Sequence, residues 1–576
     1  MLQRLLVRFS RPYVGKIVLV LGLIVIQTIA NLTLPSLNAE IINNGVTKGD
    51  TEYTLQVGSQ MLALSLGLLV VSVIAVYFAS QIAMSAARDM RSEVFRKVLQ
   101  LSPYEMDKFG TPSLITRNTN DISQVQILLT MGLMVLAAAP ITVVGGVIMA
   151  LRHNAQLSIL IAVAIPLMGA VIFAVNRHAI PQFRIVQKRI DRINAIFREQ
   201  ITGMRVIRAF VRDDHEHRRF DLANEALMMT QLRINRLFAI AMPALILILN
   251  LASVGVVWFG GKLVDQGSLE IGDLTAFISY LMQILGSVMM ATMMLILIPR
   301  AAASAERIQE VLDYSPEISA PAEPVAQTTA GTVEFRNVTY YYPGAEEPVL
   351  ENINFALKPG EFTAVVGSTG SGKTTLLNLL MRFMDATSGH VYINGADVTQ
   401  QNPDELWGSV GLVPQRTYLF SGTLRDSLTF GDDSISDEEI WKALEVAQAT
   451  EFVSALAEGL DFVVAQGGTN FSGGQRQRLA IARALIRKPS IYAFDDSFSA
   501  LDATTDAKLR QALRTETRGA TVIVVAQRVS SVRFADRIIV IDEGKIVGMG
   551  DHNFLMQSCP TYQEIVRSQR TVEVGS

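Results

Sequence analysis

Residues 362–380 read FTAVVGSTGSGKTTLLNLL: an apolar strand, a glycine-rich turn and an apolar helix, in that order. Gly367, Gly370 and Gly372 let the backbone wrap closely around phosphate, in conformations that a Cβ would obstruct. Lys373 sets a point charge against the β and γ phosphates, and Thr374 offers its hydroxyl to Mg²⁺. Ser368, Thr369 and Ser371 complete the loop, and Thr375 follows on the helix. With a strand before it and a helix after it, this spacing is a Walker A loop in its required context, so ATP or GTP is the expected ligand.

Downstream, SIYAFDD at 490–496 is an apolar strand ending in carboxylates, as a Walker B strand should be, and Asp495 is placed to hold the Mg²⁺ shell. Between the two lies NFSGGQRQRLAIARAL at 470–485. There Ser472, Gly473, Gly474 and Gln475 open an apolar-periodic helix whose N-terminus presents free N–H groups and a positive dipole end. That is a second phosphate-binding device. One nucleotide does not need two in one domain, so the arrangement points to a dimer in which each signature closes over the other chain's nucleotide. Upstream, TVEFRNVTYYYP at 332–343 alternates as a strand.

The rest of the chain is of another kind. Of its 576 residues 50% are hydrophobic and 18% charged, too apolar for an ordinary soluble protein, with a mean hydropathy of +0.32. Stretches free of Asp, Glu, Lys and Arg run 17–39, 53–87, 122–151, 153–176, 237–261 and 274–299, each reaching the roughly 20 residues that cross a hydrocarbon core. Six transmembrane helices are expected. Arg4, Arg8, Arg11 and Lys16 before the first resemble a signal peptide's start, but no small-residue cleavage site follows, so that span is read as retained. The segment 88–121 carries Arg88, Arg91, Arg96, Lys97, Lys108 and Arg117, and 177–236 carries thirteen Lys or Arg, Arg184 among them; the positive-inside rule sets both in the cytoplasm. Ile185, Ile190, Ile193, Ile196 and Phe197 recur at helical spacing, so these segments are expected to continue the helices beyond the bilayer. Net charge divides likewise: residues 1–320 hold 28 basic and 22 acidic groups, the remainder 22 and 31. Neither half has a basic run dense enough for nucleic acid. The single cysteine, Cys559, excludes an intrachain disulfide.

The fold expected is therefore an all-α six-helix transmembrane domain at 1–314, a Pro- and Thr-rich linker at 315–332, and an α/β P-loop nucleotide-binding domain at 333–576 in the cytoplasm of a cell (inner) membrane.

Taken together, GSTGSGKTT and FSGGQ resemble the ATP-binding cassette family, specifically half-transporters of the exporter-type fold, over nearly the whole chain. The resemblance implies that Tyr342 stacks on adenine and that Gln415 in VPQ is the Q-loop, beside Mg²⁺ with Thr374 and Asp495. It implies that Ser499, Ala500, Leu501 and Asp502 form the D-loop. FGTPSLITRNTND at 109–121 looks like that family's first intracellular loop, and the resemblance makes it and the segment near 209–220 coupling helices.

Two catalytic positions depart from the family's pattern. Glu normally follows the Mg²⁺ carboxylate to polarise the attacking water; here it is Asp496, one methylene shorter, and a reach reduced by about 1 Å can cost on the order of 10²-fold. The switch position, normally His, is Gln527, which can hydrogen-bond a γ-phosphate without His's available charge. Gln466 also replaces a usual Glu before the signature. The pattern resembles the degenerate-site subunit of a heterodimeric exporter, implying a partner half-transporter with Glu and His at these positions. No charge interrupts the spans, so ATP alone should supply the energy. Met282, Met289 and Met293 can share a face of the last span, which suits an amphipathic or lipid-like cargo, although ordinary packing against helices or lipid accounts for them at least as well. An ATP-binding regulatory subunit, an ATP-gated channel and an importer stay open as alternatives.

Overall fold

The computed structural model describes residues 1–295, 297–529 and 532–574, and their side chains except at 184, 293, 295, 503 and 570–574, so the Arg184 and Met293 side chains lie outside the description. The backbone divides into two compact units: Met1–Leu99 with Thr111–Tyr314, and Gln100–Gly110 with Ser315–Ser576.

In the first unit six apolar helices are long enough to cross a membrane: Leu2–Val46, Thr51–Val98, Thr111–His153, Ala155–Thr202, Asp213–Asp265 and Ile271–Asp313. Asp50 caps the second by accepting from the Tyr53 N–H at 2.9 Å, and Asn154 caps the fourth by accepting from the Leu157 N–H at 3.0 Å. At 1.5 Å per residue a 48-residue helix is roughly 70 Å long, more than twice the hydrocarbon thickness. The basic stretches after Arg88 and Arg177 are thus continuations of the same helices. Ala75, Ala79, Ala83 and Ala87 make a fully buried small-residue stripe on the second helix, and Val20 and Ile24 of the first pack onto it through Ala79 and Ile82. The fourth helix contains Pro166 and Pro181 and the fifth Pro243, whereas Thr51–Val98 has none.

Polar ties join the helices near their ends. Asp121 is fully buried and accepts from Ser304 Oγ at 3.0 Å and Arg307 Nε at 2.7 Å, while Arg117 pairs with Glu310 at 2.8 Å. At the opposite ends Ser36 Oγ lies 2.6 Å from the buried Tyr280 hydroxyl and 3.3 Å from His153 Nε2, and His153 Nδ1 lies 3.0 Å from Asp273.

The short helices fall upstream of the segments that the family resemblance implied. One is Pro103–Phe109, with proline at its first turn, a reciprocal Ser102–Glu105 cap, and a stop at Gly110, whose φ is +77°. Residues 111–121 already belong to the third long helix. Pro103–Phe109 is part of the second unit, where Glu105 is fully buried and accepts from the Glu317 N–H at 2.9 Å. The other is Met204–Ala209; by 213 the fifth long helix has begun.

The second unit is built on a six-stranded sheet in the order Lys545–Gly550, Arg537–Asp542, Phe362–Gly367, Thr521–Val525, Ile491–Asp495, Val410–Val413. Only the first of these pairs antiparallel. A four-stranded antiparallel sheet, Leu350–Leu357, Val333–Tyr340, Ser388–Ile393 and Ala396–Asp397, accompanies it. The central strands are buried throughout and read as continuous apolar runs, as parallel strands covered on both faces must.

Removing Arg307 leaves the buried Asp121 carboxylate without its cation. Arg307→Met is expected to destabilise the membrane unit by about 2–3 kcal/mol, below the roughly 3–5 of a fully buried pair because Arg307 is 47% exposed. Adding Asp121→Asn should recover most of the loss. The midpoint of thermal inactivation of the solubilised chain measures both; equal midpoints for parent and Arg307→Met would discount the tie.

Candidate functional site

The cradle begins where the central strand ends. A Cβ on Gly367 would lie 2.1 Å from the Ile541 carbonyl oxygen and 2.7 Å from Ser371 Oγ, so only glycine lets the loop turn here beside its neighbour. Gly370 and Gly372 have φ of +85° and +97°, and a Cβ on Gly372 would meet Leu350 at 2.6 Å. The helix Lys373–Leu380 starts at that turn. The Lys373 ammonium is buried inside the loop and donates to the Gly367 carbonyl at 3.0 Å, the Ser368 carbonyl at 2.6 Å and Ser371 Oγ at 3.4 Å. Ser368, Thr369 and Gly370 form the exposed rim, with Ser368 Oγ 3.4 Å from Asp542, while Ser371 and Thr375 are buried. Tyr342 stands beside this helix, its hydroxyl 3.2 Å from Thr375 Oγ1 and its ring edge-on to Tyr340 at 5.2 Å.

Strand pairing brings the distant residues to this edge. Asp495 ends its strand level with Val525, and Thr374 Oγ1 donates to Asp495 Oδ1 at 3.4 Å. Burial pushes the Asp495 carboxyl above its ordinary range and the neighbouring Asp496 adds to the shift, while Thr374 and Lys373 oppose it. Burial pulls the Lys373 amine down, against the attraction of Asp495 and Asp496. Asp496 adopts a left-handed φ of +46°, its N–H bonded to the Val525 carbonyl at 2.9 Å. Gln415, on an exposed loop, reaches Asp496 Oδ2 at 3.5 Å. Gln527 follows Val525 by two residues; its side chain is exposed and forms no hydrogen bond with any described residue.

The signature stands apart. Ser472 and Gln475 cap the helix Gly473–Ile486 reciprocally, at 2.9 and 3.3 Å. A Cβ on Gly473 would meet nothing within 4 Å, so no packing inside this chain requires glycine there. Gly474 does have a neighbour, the Ala500 carbonyl, 3.1 Å from where its Cβ would be. In the segment expected to form the D-loop, Ser499 Oγ donates to the Asp496 carbonyl at 2.9 Å, Leu501 is buried, and Asp502 caps the next helix through the Thr504 and Thr505 N–H groups. Among the described residues no hydrogen bond links Ser472–Gln475 to the Walker loop.

Gln569, which sequence reasoning missed, holds the segment 527–529 at two points. Its amide nitrogen donates to the Gln527 carbonyl at 2.6 Å and its amide oxygen accepts from the Val529 N–H at 2.8 Å. No local pattern marks a glutamine 40 residues downstream as a partner of that loop.

A glycine-wrapped loop and a carboxylate pair at the carboxyl edge of a parallel sheet define a P-loop nucleotide-binding cassette. Residues 17–288 match the family model for the ABC transporter transmembrane region, and residues 350–499 the family model described as ABC transporter. The chain is 46% identical over 575 residues to an uncharacterized ABC transporter ATP-binding protein of Mycobacterium tuberculosis, covering 99% of this chain and 98% of that one. It is 32% identical over 490 residues to a multidrug efflux ATP-binding/permease protein of Mycobacterium bovis, covering 85% of this chain and 41% of that one. A bacterial Atm1-family ABC exporter with ATP bound shares its fold, with a TM-score of 0.81 at 22% identity over 97% of this chain and 98% of that one. The chain belongs to the ABC transporter family, as a half-transporter of exporter-type fold. It is a multi-pass membrane protein with a cytoplasmic, ATP-binding domain and ATPase activity coupled to transport.

Substitutions should separate loop geometry from helix access. Lys373→Ala and Gly367→Ala are each expected to weaken binding of a fluorescent ATP analogue to the purified chain tenfold or more, about 1.4 kcal/mol. Gly473→Ala, with open space around its new methyl, should leave both affinity and melting temperature unchanged. Parent-like affinity in Gly367→Ala would contradict the close approach to Ile541.

Proposed function

We propose that this chain is the degenerate-site half of a heterodimeric exporter moving an amphipathic or lipid-like small molecule. One contrast carries the reading: the carboxylate after Asp495 is the short Asp496, while Ser472–Gln475 form an intact helix start whose Gly473 faces open space. The chain's own Walker loop then forms the slow site. Its signature completes the fast site on a partner half-transporter carrying Glu and His where this chain has Asp496 and Gln527.

In this reading Tyr342 stacks on adenine, the loop amides of 368–375 bind the phosphates, and Lys373 turns its ammonium from the loop carbonyls to the γ-phosphate. Thr374, Asp495 and Gln415 offer hydroxyl, carboxylate and amide oxygens, the all-oxygen set that Mg²⁺ takes with one or two protein carboxylates and substrate phosphates; the 3.4 Å approach of Thr374 to Asp495 fits it. These groups would hold a magnesium ion, which would supply countercharge to the phosphates of the nucleotide. Asp496 orients the attacking water and Gln527 contacts the γ-phosphate, both less effectively than Glu and His. Ser472 and the helix behind it stabilise charge on the partner's nucleotide. Export is supported by the exporter-type fold and by the efflux protein among the relatives.

Purified alone, the chain should hydrolyse ATP slowly, and its partner should raise turnover strongly. In the assembled pair, Gly473→Asp sets negative charge where phosphate docks and should abolish ATPase and cargo flux, whereas Asp496→Asn should reduce them much less. Steady-state ATPase and flux in vesicles decide: a vigorously transporting homodimer, or collapse with Asp496→Asn but not Gly473→Asp, would overturn the assignment.

A further inference from the structure

Past the strand Thr521–Val525 the chain leaves the sheet and runs out to Gln527. Ala526 is buried and donates its N–H to the Val365 carbonyl at 3.1 Å, and Val529 is buried again in the core. Between them Gln527 and Arg528 are exposed, and the Gln527 side chain hydrogen-bonds to no described residue. Its direction is therefore set by its own backbone, and among the described residues one side chain grips that backbone. Gln569 Nε2 donates to the Gln527 carbonyl at 2.6 Å, and Gln569 Oε1 accepts from the Val529 N–H at 2.8 Å.

The grip is firmly mounted. Tyr562, Val566 and Gln569 stand at i, i+4 and i+7 of the helix Pro560–Val574, so all three share one face. Tyr562 and Val566 are buried in the same core cluster as Val529 and Val532, and the Tyr562 hydroxyl lies 2.8 Å from His552 Nδ1. The residue type matters as well. A primary amide carries a donor and an acceptor side by side, whereas a carboxylate only accepts and an aliphatic chain does neither. Among the described residues Gln569 forms no hydrogen bond with the loop 367–375, so its influence on a nucleotide runs through the segment 527–529.

We propose that Gln569 is a positioning residue for ATP hydrolysis: by clamping 527–529 at both ends from the last helix, it fixes the direction in which the Gln527 side chain meets the γ-phosphate. Nucleotide capture by the glycine-rich loop does not need the clamp; the chemical step does, because a contact that forms in the transition state depends on placement. The proposal deepens the reading of Gln527 given above and rests on it.

The test measures ATP hydrolysis by the full chain in phosphatidylcholine vesicles, with Lys373→Ala as the blank; without a partner half-transporter, every site counted carries Gln527. Gln569→Leu, which removes the amide, should lower kcat about tenfold with the KM for ATP within about twofold of the parent's. Gln569→Glu keeps the length and the acceptor for the Val529 N–H but turns an oxygen against the Gln527 carbonyl, and should lower kcat by at least about fivefold. In a Gln527→Ala background the Gln569→Leu change should cost less than about twofold, because no side chain remains to be directed; a helix that merely stabilised the domain would cost the same in both backgrounds. Retention of labelled ADP with orthovanadate, a five-coordinate phosphate mimic, reads the same contact without turnover and should follow the same order. Parent-like affinity for a fluorescent ATP analogue establishes folding; if Gln569→Leu lacks it, Gln569→Glu decides. Parent-like kcat and vanadate retention in the Gln569 variants, with Gln527→Ala impaired, would overturn the clamp and leave the reading of Gln527 standing. Equal losses from Gln569→Leu with and without the Gln527 side chain would also overturn it. An unimpaired Gln527→Ala would sink the reading of Gln527 and the proposal with it.

Discussion

The nucleotide-binding domain depends on the parallel pairing of Phe362–Gly367 with its neighbours Thr521–Val525 and Arg537–Asp542. Parallel strands end at the same edge, so residues far apart in sequence arrive together. Val365 pairs with Val525, Val525 with Asp495, and Gly367 with Ile541. That register delivers the glycine-rich loop, both carboxylates and Gln527 to one rim. Its tightest point is the approach of Gly367 to the Ile541 carbonyl, which excludes even a methyl group.

The membrane half solves a different problem. Each helix satisfies its own backbone, so association is left to close packing and a few polar ties. Alanines on the second helix let the first approach, and the ties stand near the helix ends: Asp121 with Arg307 and Ser304 on one side, and the chain from Asp273 through His153 and Ser36 to Tyr280 on the other. The stretches between carry no Asp, Glu, Lys or Arg. Two kinds of adhesion therefore divide the same helices by depth.

Local sequence carries whatever a short segment decides for itself. The loop 367–375 announces itself because glycine, lysine and threonine at fixed spacing are needed within one turn, and the six spans because hydrocarbon demands long uncharged runs. Partners brought together by tertiary folding leave no such trace. Gln569 clamps the segment 527–529 from the last helix, and Glu105 is buried against the backbone of Glu317. The tie among Ser36, His153, Tyr280 and Asp273 draws on four residues unremarkable one by one. The short helix Pro103–Phe109 lies upstream of the motif at 109–121 because its caps set its boundaries: Ser102 and Pro103 start it, and Gly110 ends it.

Proline distribution gives the long helices different mechanics. Thr51–Val98 has none and keeps its hydrogen-bond ladder uninterrupted, so it transmits tilt as a stiff rod; over its roughly 70 Å a rotation of about 5° displaces the far end by about 6 Å. The fourth and fifth helices bend more readily, at Pro166, Pro181 and Pro243, which break the ladder. A push at one end thus swings the second helix as a whole but flexes the other two at their prolines, so the same force acts on one as a lever and on the others as a hinge.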